Sequence, residues 1–331
     1  MPDLRPKRIA EFIAPFRVEP GRRVRLPRDF DPAGSRQVST REAKEVLRAG
    51  VELLAESQRR LAAQDTYGVV MVLQAMDAAG KDGTIRHVMS GVNPQGVQVS
   101  SFKVPSSEDL DHDYLWRYAK KLPERGNIGI FNRSYYEEVL VVRVHPQILA
   151  GQKIPAKLKD RGIWNRRFRE INDWERYLTD QGFVFVKLFL NLSNEEQRRR
   201  FLARIDEPER NWKFSAGDAK ERAYWDDYQK AFSDVLSRTS TSWAPWYVVP
   251  ADDKPFARVA AAGILAHTLI KLDPQYPKIS KEGRDALQSI KVDLEAQAPE
   301  GTSPDPIEAE LAEKAARKQG KAKAGKRRKG S

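Results

Sequence analysis

The chain has 331 residues, of which 40% are hydrophobic and 31% charged, so it is long and apolar enough for a large α/β domain or two modest ones. It contains no cysteine, which excludes disulfide bonds and thiolate chemistry. No apolar run has the length of a membrane span, and the N-terminus lacks the apolar region of a secretory signal. We therefore expect a cytoplasmic protein with no membrane partner.

Positive charge is concentrated at the C-terminal end. The formal net charge is +12, and residues 313–331 hold nine Lys or Arg and one Glu, so this segment alone carries +8. The tail at 298–331 is of low complexity, which predicts disorder. Its charge predicts contact with a polyanion, and we expect nucleic acid to bind only non-specifically through it.

The rest of the chain is predicted to be an N-terminal arm followed by one large domain. Residues 1–38 are rich in Pro, Arg and Gly and show no clear period, which indicates an extended arm. Ser39 and Glu42 form a capping-box pattern, which begins a helix that we extend to about Ala63. We place the domain at 39–297.

Strands and helices alternate through this domain. Apolar or alternating runs predict strands at 67–73, 96–102, 127–131, 183–190 and 246–249. Helical spacing and capping signals predict later helices at 83–89, 108–122, 163–180, 193–205, 219–236, 256–272 and 280–297. This alternation predicts an α/β fold with a parallel sheet covered on both faces, and ligands that bind at the carboxyl ends of the strands.

The segment after the first strand has the spacing of a phosphate-binding loop. It departs from the usual pattern twice, because Ala75 replaces the first glycine and Asp82 replaces the Ser or Thr that follows the lysine. Small residues still allow backbone N–H groups to surround a phosphate, and the next helix directs its positive end at it. Lys81 adds a point charge. The alternative is a tight strand–helix turn with an exposed lysine.

Acidic and basic residues at two strand ends are the candidates for chemistry. A carboxylate inside the loop would repel phosphate unless Mg²⁺ lay between them, so we predict Asp77 as a metal ligand, or otherwise a turn-stabilising side chain. Arg133 could hold a phosphate with two N–H groups, or form a surface salt bridge. Glu137 is four residues after Arg133, so its side chain could lie on the same face and reach the site. The alternative for Glu137 and Glu138 is that they stabilise the start of a helix.

A basic helix precedes a polar loop. Its cations and those of the loop are Arg198, Arg199, Arg200, Arg204, Arg210 and Lys213. This pattern predicts a mobile lid over an anionic substrate at about 198–218. The alternative is a solvated helix surface. The four histidines lie apart without metal-ligand spacing, and we interpret them as structural.

Several segments together resemble the family-2 polyphosphate kinases. They are QAMDAAGKDGT (74–84), SFKVPS (101–106), GIFNRSYYEEVLVVRVHP (129–146), RRRFLARIDEPERNWKFS (198–215) and APWYVVPAD (244–252). The resemblance covers about residues 16–280 and implies a P-loop kinase fold similar to thymidylate kinase, with helices on both faces of a central parallel sheet and a helical lid. It implies Mg²⁺-dependent transfer of the terminal phosphate of inorganic polyphosphate to AMP or ADP.

The resemblance also implies roles for individual residues. It makes Asp77 and Lys81 essential, gives Arg133 a phosphate contact, and assigns Arg200, Arg204 and Lys213 to the lid. Asn132 and Glu137 stand where some subgroups have Asp and Asn, which resembles the subgroup that phosphorylates both AMP and ADP. With Glu137 added to the catalytic set, we expect further phosphate contacts from Ala78, Ala79, Gly80, Asp82, Gly83, Thr84 and Lys103.

Two other functions were weighed against this one. An ATP-dependent nucleoside-monophosphate kinase of the thymidylate-kinase type is disfavoured because no Ser or Thr follows Lys81 to bind Mg²⁺. A nucleic-acid-binding protein acting through the basic tail is disfavoured because the body lacks a basic stripe interleaved with aromatic residues. We also expect the protein to form a homo-oligomer.

Overall fold

A parallel sheet of five strands organises the first of the two units into which the chain divides. The units are Met1–Tyr276 and Pro277–Ser331, and the computed structural model describes residues 5–34, 40–213, 216–299, 307, 310 and 311. The strands are β1 (Gly68–Ala75), β2 (Val97–Ser101), β3 (Ile128–Asn132), β4 (Phe183–Asn191) and β5 (Trp246–Pro250). Their order is β2-β3-β1-β4-β5, and all neighbouring strands are parallel. The five predicted strands are therefore confirmed.

Strand β1 lies in the middle of this sheet because both of its faces are apolar. Its side chains at Val69, Met71 and Leu73 join one hydrophobic cluster, and those at Val70 and Val72 join the other. All five are fully buried. The uninterrupted apolar run is what a parallel strand covered on both faces requires.

Thirteen α-helices are present in the described part of the chain. They are α1 (Arg5–Ile13), α2 (Thr40–Gln64), α3 (Lys81–Val88), α4 (Ser107–Asp111), α5 (Trp116–Ala119), α6 (Val141–Val144), α7 (Pro146–Gly151), α8 (Ile163–Asp180), α9 (Asn194–Asp206), α10 (Ala216–Glu221), α11 (Trp225–Thr239), α12 (Lys254–Leu272) and α13 (Lys281–Glu295). Short 3₁₀-helices include Tyr135–Val139, Pro208–Lys213 and Arg222–Tyr224. Residues of α1, α2, α3 and α12 join the first cluster, and those of α8 and α11 join the second.

The extended N-terminal arm predicted at 1–38 is wrong for its described residues. Helix α1 packs on α12, and its residues Ile9 and Ile13 are 1% and 2% exposed. Val18 and Val24, which follow the helix, are also buried. The high Arg and Pro content of this segment concealed an apolar stripe at Ile9, Ile13 and Phe16, so the segment belongs to the core of the first unit.

The single helix predicted at 108–122 is also wrong. The structure has two short helices, α4 and α5, because His112 is extended and the Asp113 carboxylate accepts a hydrogen bond from the Leu115 N–H. A side chain of Asp that bonds the backbone two residues ahead competes with helix formation. The helix predicted at 219–236 is likewise divided, into the end of α10, a 3₁₀-helix at Arg222–Tyr224 and α11. The remaining predicted helices are present, most of them with shifted ends.

Contrary to the expectation that no apolar run has the length of a membrane span, helix α12 is long and apolar enough by composition to cross a membrane. Within its most apolar window, however, 61% is buried inside the protein. It packs against α2, α1 and α3. A helix that is apolar on most sides and covered by other helices is typical of a protein core.

The second unit contains α13, whose first turn is capped by the Ser280 hydroxyl accepting from the Gly283 N–H. Helix α13 has no buried residue. The first unit ends at Tyr276, before the domain boundary predicted at 297. The predicted capping residue Ser39 lies outside the described residues, as does nearly all of the tail predicted at 298–331.

We expect Ile13→Ala to destabilise the protein by about 2–5 kcal/mol, because it removes a buried side chain from the core without room for full collapse. Urea denaturation of the full chain measures the free energy of unfolding. Glu11→Ala, at an exposed position of the same helix, is the control and should change it by less than about 0.5 kcal/mol. Equal effects of the two substitutions would contradict the assignment of α1 to the core.

Candidate active site

The loop between β1 and α3 has the backbone of a phosphate-binding turn. Gly80 precedes α3 with φ of 101°, and Ala78 has φ of 63°. Glycine adopts such left-handed conformations freely, whereas alanine does so at a cost. Strain of this kind persists only where surrounding contacts impose it, and it is concentrated at functional sites.

A third left-handed residue lies beside this loop, at the carboxyl end of β3. Arg133 has φ of 65°, and its N–H donates to the Leu73 carbonyl of β1 at 3.0 Å. The next residue, Ser134, is fully buried and accepts a hydrogen bond from the Gln74 amide at 3.1 Å. The sharp turn at Arg133 thus directs its side chain toward the loop.

Four predicted residues converge at the ends of β1 and β3. The Arg133 guanidinium lies 3.2 Å from an Asp77 oxygen and 3.7 Å from a Glu137 oxygen. The Lys81 ammonium donates to the Ala75 carbonyl at 2.9 Å. A cavity of about 250 Å³ adjoins the loop and is lined by Asp77, Arg133 and Glu137 among others. Asp77, Arg133 and Glu137 therefore border one cavity, and Lys81 lies close enough to interact with all three charges.

The electrostatics of this group differ from those of exposed side chains. Burial lowers the pKa of Lys81, and the Arg133 charge lowers it further, which outweighs the opposite effect of the nearby carboxylates. Burial raises the pKa of Glu137, although Arg133 and Lys81 oppose this. Each of these charges is less well solvated than in water, which strengthens its interaction with a bound anion or cation.

The remaining loop residues divide into backbone and side-chain contributors. Gly83 lies in the first turn of α3 and can offer only its backbone N–H. Thr84 is buried, and its N–H already donates to the Gly80 carbonyl at 3.0 Å, so that N–H is not available to a phosphate. The Asp82 carboxylate accepts a hydrogen bond from the Asn132 amide at 2.8 Å, which joins the start of α3 to the end of β3. Lys103 is exposed after β2 and does not line the cavity.

The structure corrects the lid assignment of Arg200. Its side chain is 6% exposed and bonded to backbone carbonyls of the loop, so it is not a mobile phosphate contact. Arg204 is partly exposed and lies 3.4 Å from the Asp218 carboxylate. The side chain of Lys213 lies outside the described residues. In the predicted lid segment, residues 198–206 belong to α9, residues 208–213 form a 3₁₀-helix and residues 216–218 begin α10, while residues 214 and 215 lie outside the described residues.

Sequence reasoning missed several residues at the cavity. Gln197, Glu221 and Tyr228 also line it. The Glu221 carboxylate accepts from the Tyr228 hydroxyl at 3.0 Å and lies 3.0 Å from a His145 ring nitrogen. His145 thus contacts the cavity lining through Glu221. No local pattern marks these residues, because they come from segments far apart in the chain.

A buried polar network supports the 3₁₀-helix Tyr135–Val139, which contains Glu137. Glu175 of α8 and Lys187 of β4 are both fully buried and form an ion pair at 2.7 Å. The hydroxyls of Tyr135 and Tyr136 donate to Glu175 at 2.6 and 2.8 Å. Burial lowers the pKa of Lys187, and the Glu175 charge offsets part of this.

Glu138, the neighbour of Glu137, has a structural role. Its carboxylate accepts from Arg167 at 2.7 Å and from the Gln152 amide at 2.8 Å, and both Glu138 and Arg167 are buried. Adjacent glutamates on a short 3₁₀-helix thus point to different surroundings. Of these two glutamates, only Glu137 lines the cavity beside the loop.

Comparisons with known proteins agree with this geometry. The family model described as Polyphosphate kinase 2 (PPK2) matches residues 37–277. The chain is 50% identical to the ADP-polyphosphate phosphotransferase of Rhodopseudomonas palustris, over 84% of this chain and 97% of the relative. It is 44% identical to the AMP/ADP-polyphosphate phosphotransferase of Meiothermus ruber, over 80% and 95%.

A solved structure confirms the fold class. The polyphosphate kinase 2 of Arthrobacter aurescens TC1 superposes with a TM-score of 0.75 at 39% identity, covering 86% of this chain and 96% of that one. The predicted α/β fold, of the P-loop kinase type with a central parallel sheet flanked by helices, is therefore confirmed.

We expect Lys187→Met to destabilise the protein by about 3–5 kcal/mol, because it leaves the Glu175 carboxylate buried without a cation. The double variant that combines Lys187→Met with Glu175→Gln should recover part of the lost stability, since glutamine is neutral and its side-chain oxygen still accepts hydrogen bonds from the tyrosine hydroxyls. Urea denaturation measures both. A double variant no more stable than the single one would show that charge burial is not the cause.

Proposed function

This chain belongs to the polyphosphate kinase 2 family, and we propose on that basis that it transfers the terminal phosphoryl group of inorganic polyphosphate to ADP and AMP. The observation that best supports the proposal is the convergence of Arg133, Asp77 and Glu137 at the ends of β1 and β3, with Lys81 close enough to interact with their charges. The proposal includes a cytoplasmic location and self-association into a homo-oligomer.

The chemistry asks for charge neutralisation and alignment more than for covalent catalysis. Lys81 and Arg133 provide two cations beside the loop, and α3 begins there with free N–H groups. In the proposed reaction Lys81 neutralises oxygens of the transferred phosphoryl group and Arg133 aligns the second anion. Both cations then act where negative charge develops, which is where fixed charges lower the barrier most.

Mg²⁺ is a proposed cofactor, and the donor set is compatible with it. No group of three or more His, Asp or Glu among the described residues is arranged to hold a metal ion by itself. Asp77 and Glu137 nevertheless border the same cavity, and Mg²⁺ is commonly bound by one or two carboxylates with substrate phosphates. Asp77 would hold the ion, with Glu137 beside it. When bound, it neutralises phosphate charge.

The choice of acceptor is the finer part of the proposal. One relative is named for ADP and the other for AMP and ADP. Glu137 lies 3.7 Å from Arg133 and is the carboxylate whose pKa is raised by burial, so its interactions are sensitive to the charge of a neighbouring phosphate. AMP and ADP differ by one phosphate. We therefore assign the discrimination between them to Glu137.

Lys81→Met should lower kcat on the order of a hundredfold or more while the protein stays folded, because a fixed charge on the transferred group acts mainly in the transition state. The assay contains Mg²⁺, ADP or AMP, and either long-chain polyphosphate or ATP as donor, with the nucleotides resolved by chromatography. Lys230→Met, an exposed lysine on α11, is the control. Transfer from ATP but not from polyphosphate in the unmodified protein would refute the proposed donor.

Glu137→Asn should change phosphorylation of AMP and ADP unequally, because it removes a charge that the two acceptors experience at different distances. The measured quantity is the ratio of kcat/KM for the two acceptors, and a tenfold change corresponds to about 1.4 kcal/mol. Equal losses for both acceptors would instead assign Glu137 to the common transfer step. No loss for either would remove it from the site.

A further inference from the structure

Arg200 is a buried arginine whose five N–H donors all have acceptors. One terminal nitrogen donates to the carbonyls of Ala78 and Ala79, at 3.1 and 3.0 Å. The other donates to the carbonyls of Ala251 and Asp252, at 2.6 and 3.0 Å. The Nε–H donates to the Glu196 carboxylate at 2.8 Å. Guanidinium has no further donor, so this arrangement leaves none for a phosphate.

A second side chain of α9 extends the same set of contacts by one residue. Gln197, which is 2% exposed, donates its amide to the Asp77 carbonyl at 3.0 Å. Its oxygen in turn accepts from Arg222 at 2.8 Å, which fixes the orientation of the amide. Gln197 and Arg200 thus bind three consecutive carbonyls of the phosphate loop, those of Asp77, Ala78 and Ala79.

These bonds determine where the loop amides point. In a trans peptide the N–H is directed opposite to the carbonyl of the same unit. The Ala79 carbonyl faces Arg200, so the Gly80 N–H points away from it. The bonds also hold Ala78 in its left-handed conformation, with φ of 63°, which an alanine would otherwise leave. Without them the loop would relax toward ordinary backbone angles.

We propose that Arg200 is a positioning residue, which fastens the phosphate loop to the segment after β5 so that the Gly80 N–H is already held in the direction of the transferred phosphate. The kinetic consequences of this inference depend on the proposed function, whereas its consequence for the loop backbone does not. A lysine at this position would keep the charge but could not reach four carbonyls in two segments. The identity of the side chain, and not only its charge, is therefore required.

The test compares Arg200→Lys with Arg198→Lys in the full-length protein. Arg198 is an exposed arginine on the same helix, paired with Glu195. Amide hydrogen exchange without substrate is followed by mass spectrometry for peptides covering 76–84. Arg200→Lys should accelerate exchange there, where the Thr84 N–H donates to the Gly80 carbonyl at 3.0 Å, while Arg198→Lys should match the unmodified protein. Unchanged exchange in folded Arg200→Lys would overturn the proposal.

Kinetics distinguish positioning from direct phosphate binding. Arg200→Lys should lower kcat on the order of a hundredfold, as expected for misplaced catalytic groups, with the KM for polyphosphate changed by less than about threefold. Activity restored by saturating polyphosphate would show a direct contact and refute the proposal. If unmodified protein fails to use polyphosphate, the proposed function fails while the exchange experiment still decides the role of Arg200.

A milder variant covers the case in which Arg200→Lys does not fold. Gln197→Met removes the bond to the Asp77 carbonyl together with the bond that Gln197 accepts from Arg222, and it leaves Arg200 in place. It should accelerate exchange in the same peptides by a smaller factor and lower kcat without a matching rise in KM. Exchange and kcat equal to those of the unmodified protein would show that α9 does not position the loop.

Discussion

Glu175 and Lys187 form an ion pair from which water is completely excluded. Such a pair costs several kcal/mol of desolvation for each ion, and it persists only where further hydrogen bonds satisfy both charges. Here two tyrosine hydroxyls donate hydrogen bonds to the Glu175 carboxylate, and the Lys187 ammonium donates to the Thr239 carbonyl at 2.6 Å. Since the two tyrosines begin the 3₁₀-helix that contains Glu137, the geometry of the site depends on this pair.

Backbone strain is the second constraint on the site. Ala78 and Arg133 are both left-handed, although neither is glycine. Each follows a central strand of the sheet, and each is held by hydrogen bonds from outside its own segment. The rigid sheet therefore absorbs the strain. A loop supported by fewer long-range bonds would not keep these angles, and its amides would have to reorganise when an anion binds.

How much could be predicted from the sequence follows from how far apart the interacting residues are. The apolar run of β1 and the small residues after it identify a buried strand and its phosphate loop, because both signals are local. Arg133 is placed at a strand end for the same reason. Arg200 resembled a surface cation by its neighbours in sequence, but its acceptors lie near 78 and 251. The spacing of residues along one helix gives no information about contacts with segments so far away in the sequence.

The buried charges show the same limit. Glu175 and Lys187 lie in an otherwise ordinary amphipathic helix and an apolar strand, and nothing in either segment predicts that they meet. The N-terminal helix α1 was missed because its composition resembles that of an arm, although a short apolar stripe was present. Local patterns thus located the elements and the strand-end residues, while the polar contacts that orient them required the fold.

Asp82 stands where the usual phosphate loop has a Ser or Thr hydroxyl, and this difference affects where a metal ion could bind. In the usual phosphate loop the Ser or Thr after the lysine binds Mg²⁺. Here Asp82 instead accepts from Asn132, so this position joins α3 to β3. Within the loop, the carboxylate that lines the cavity is that of Asp77, which lies 3.2 Å from Arg133. In the proposed reaction the metal-binding role therefore moves from the helix start to the loop interior, next to the arginine and glutamate that would meet the acceptor.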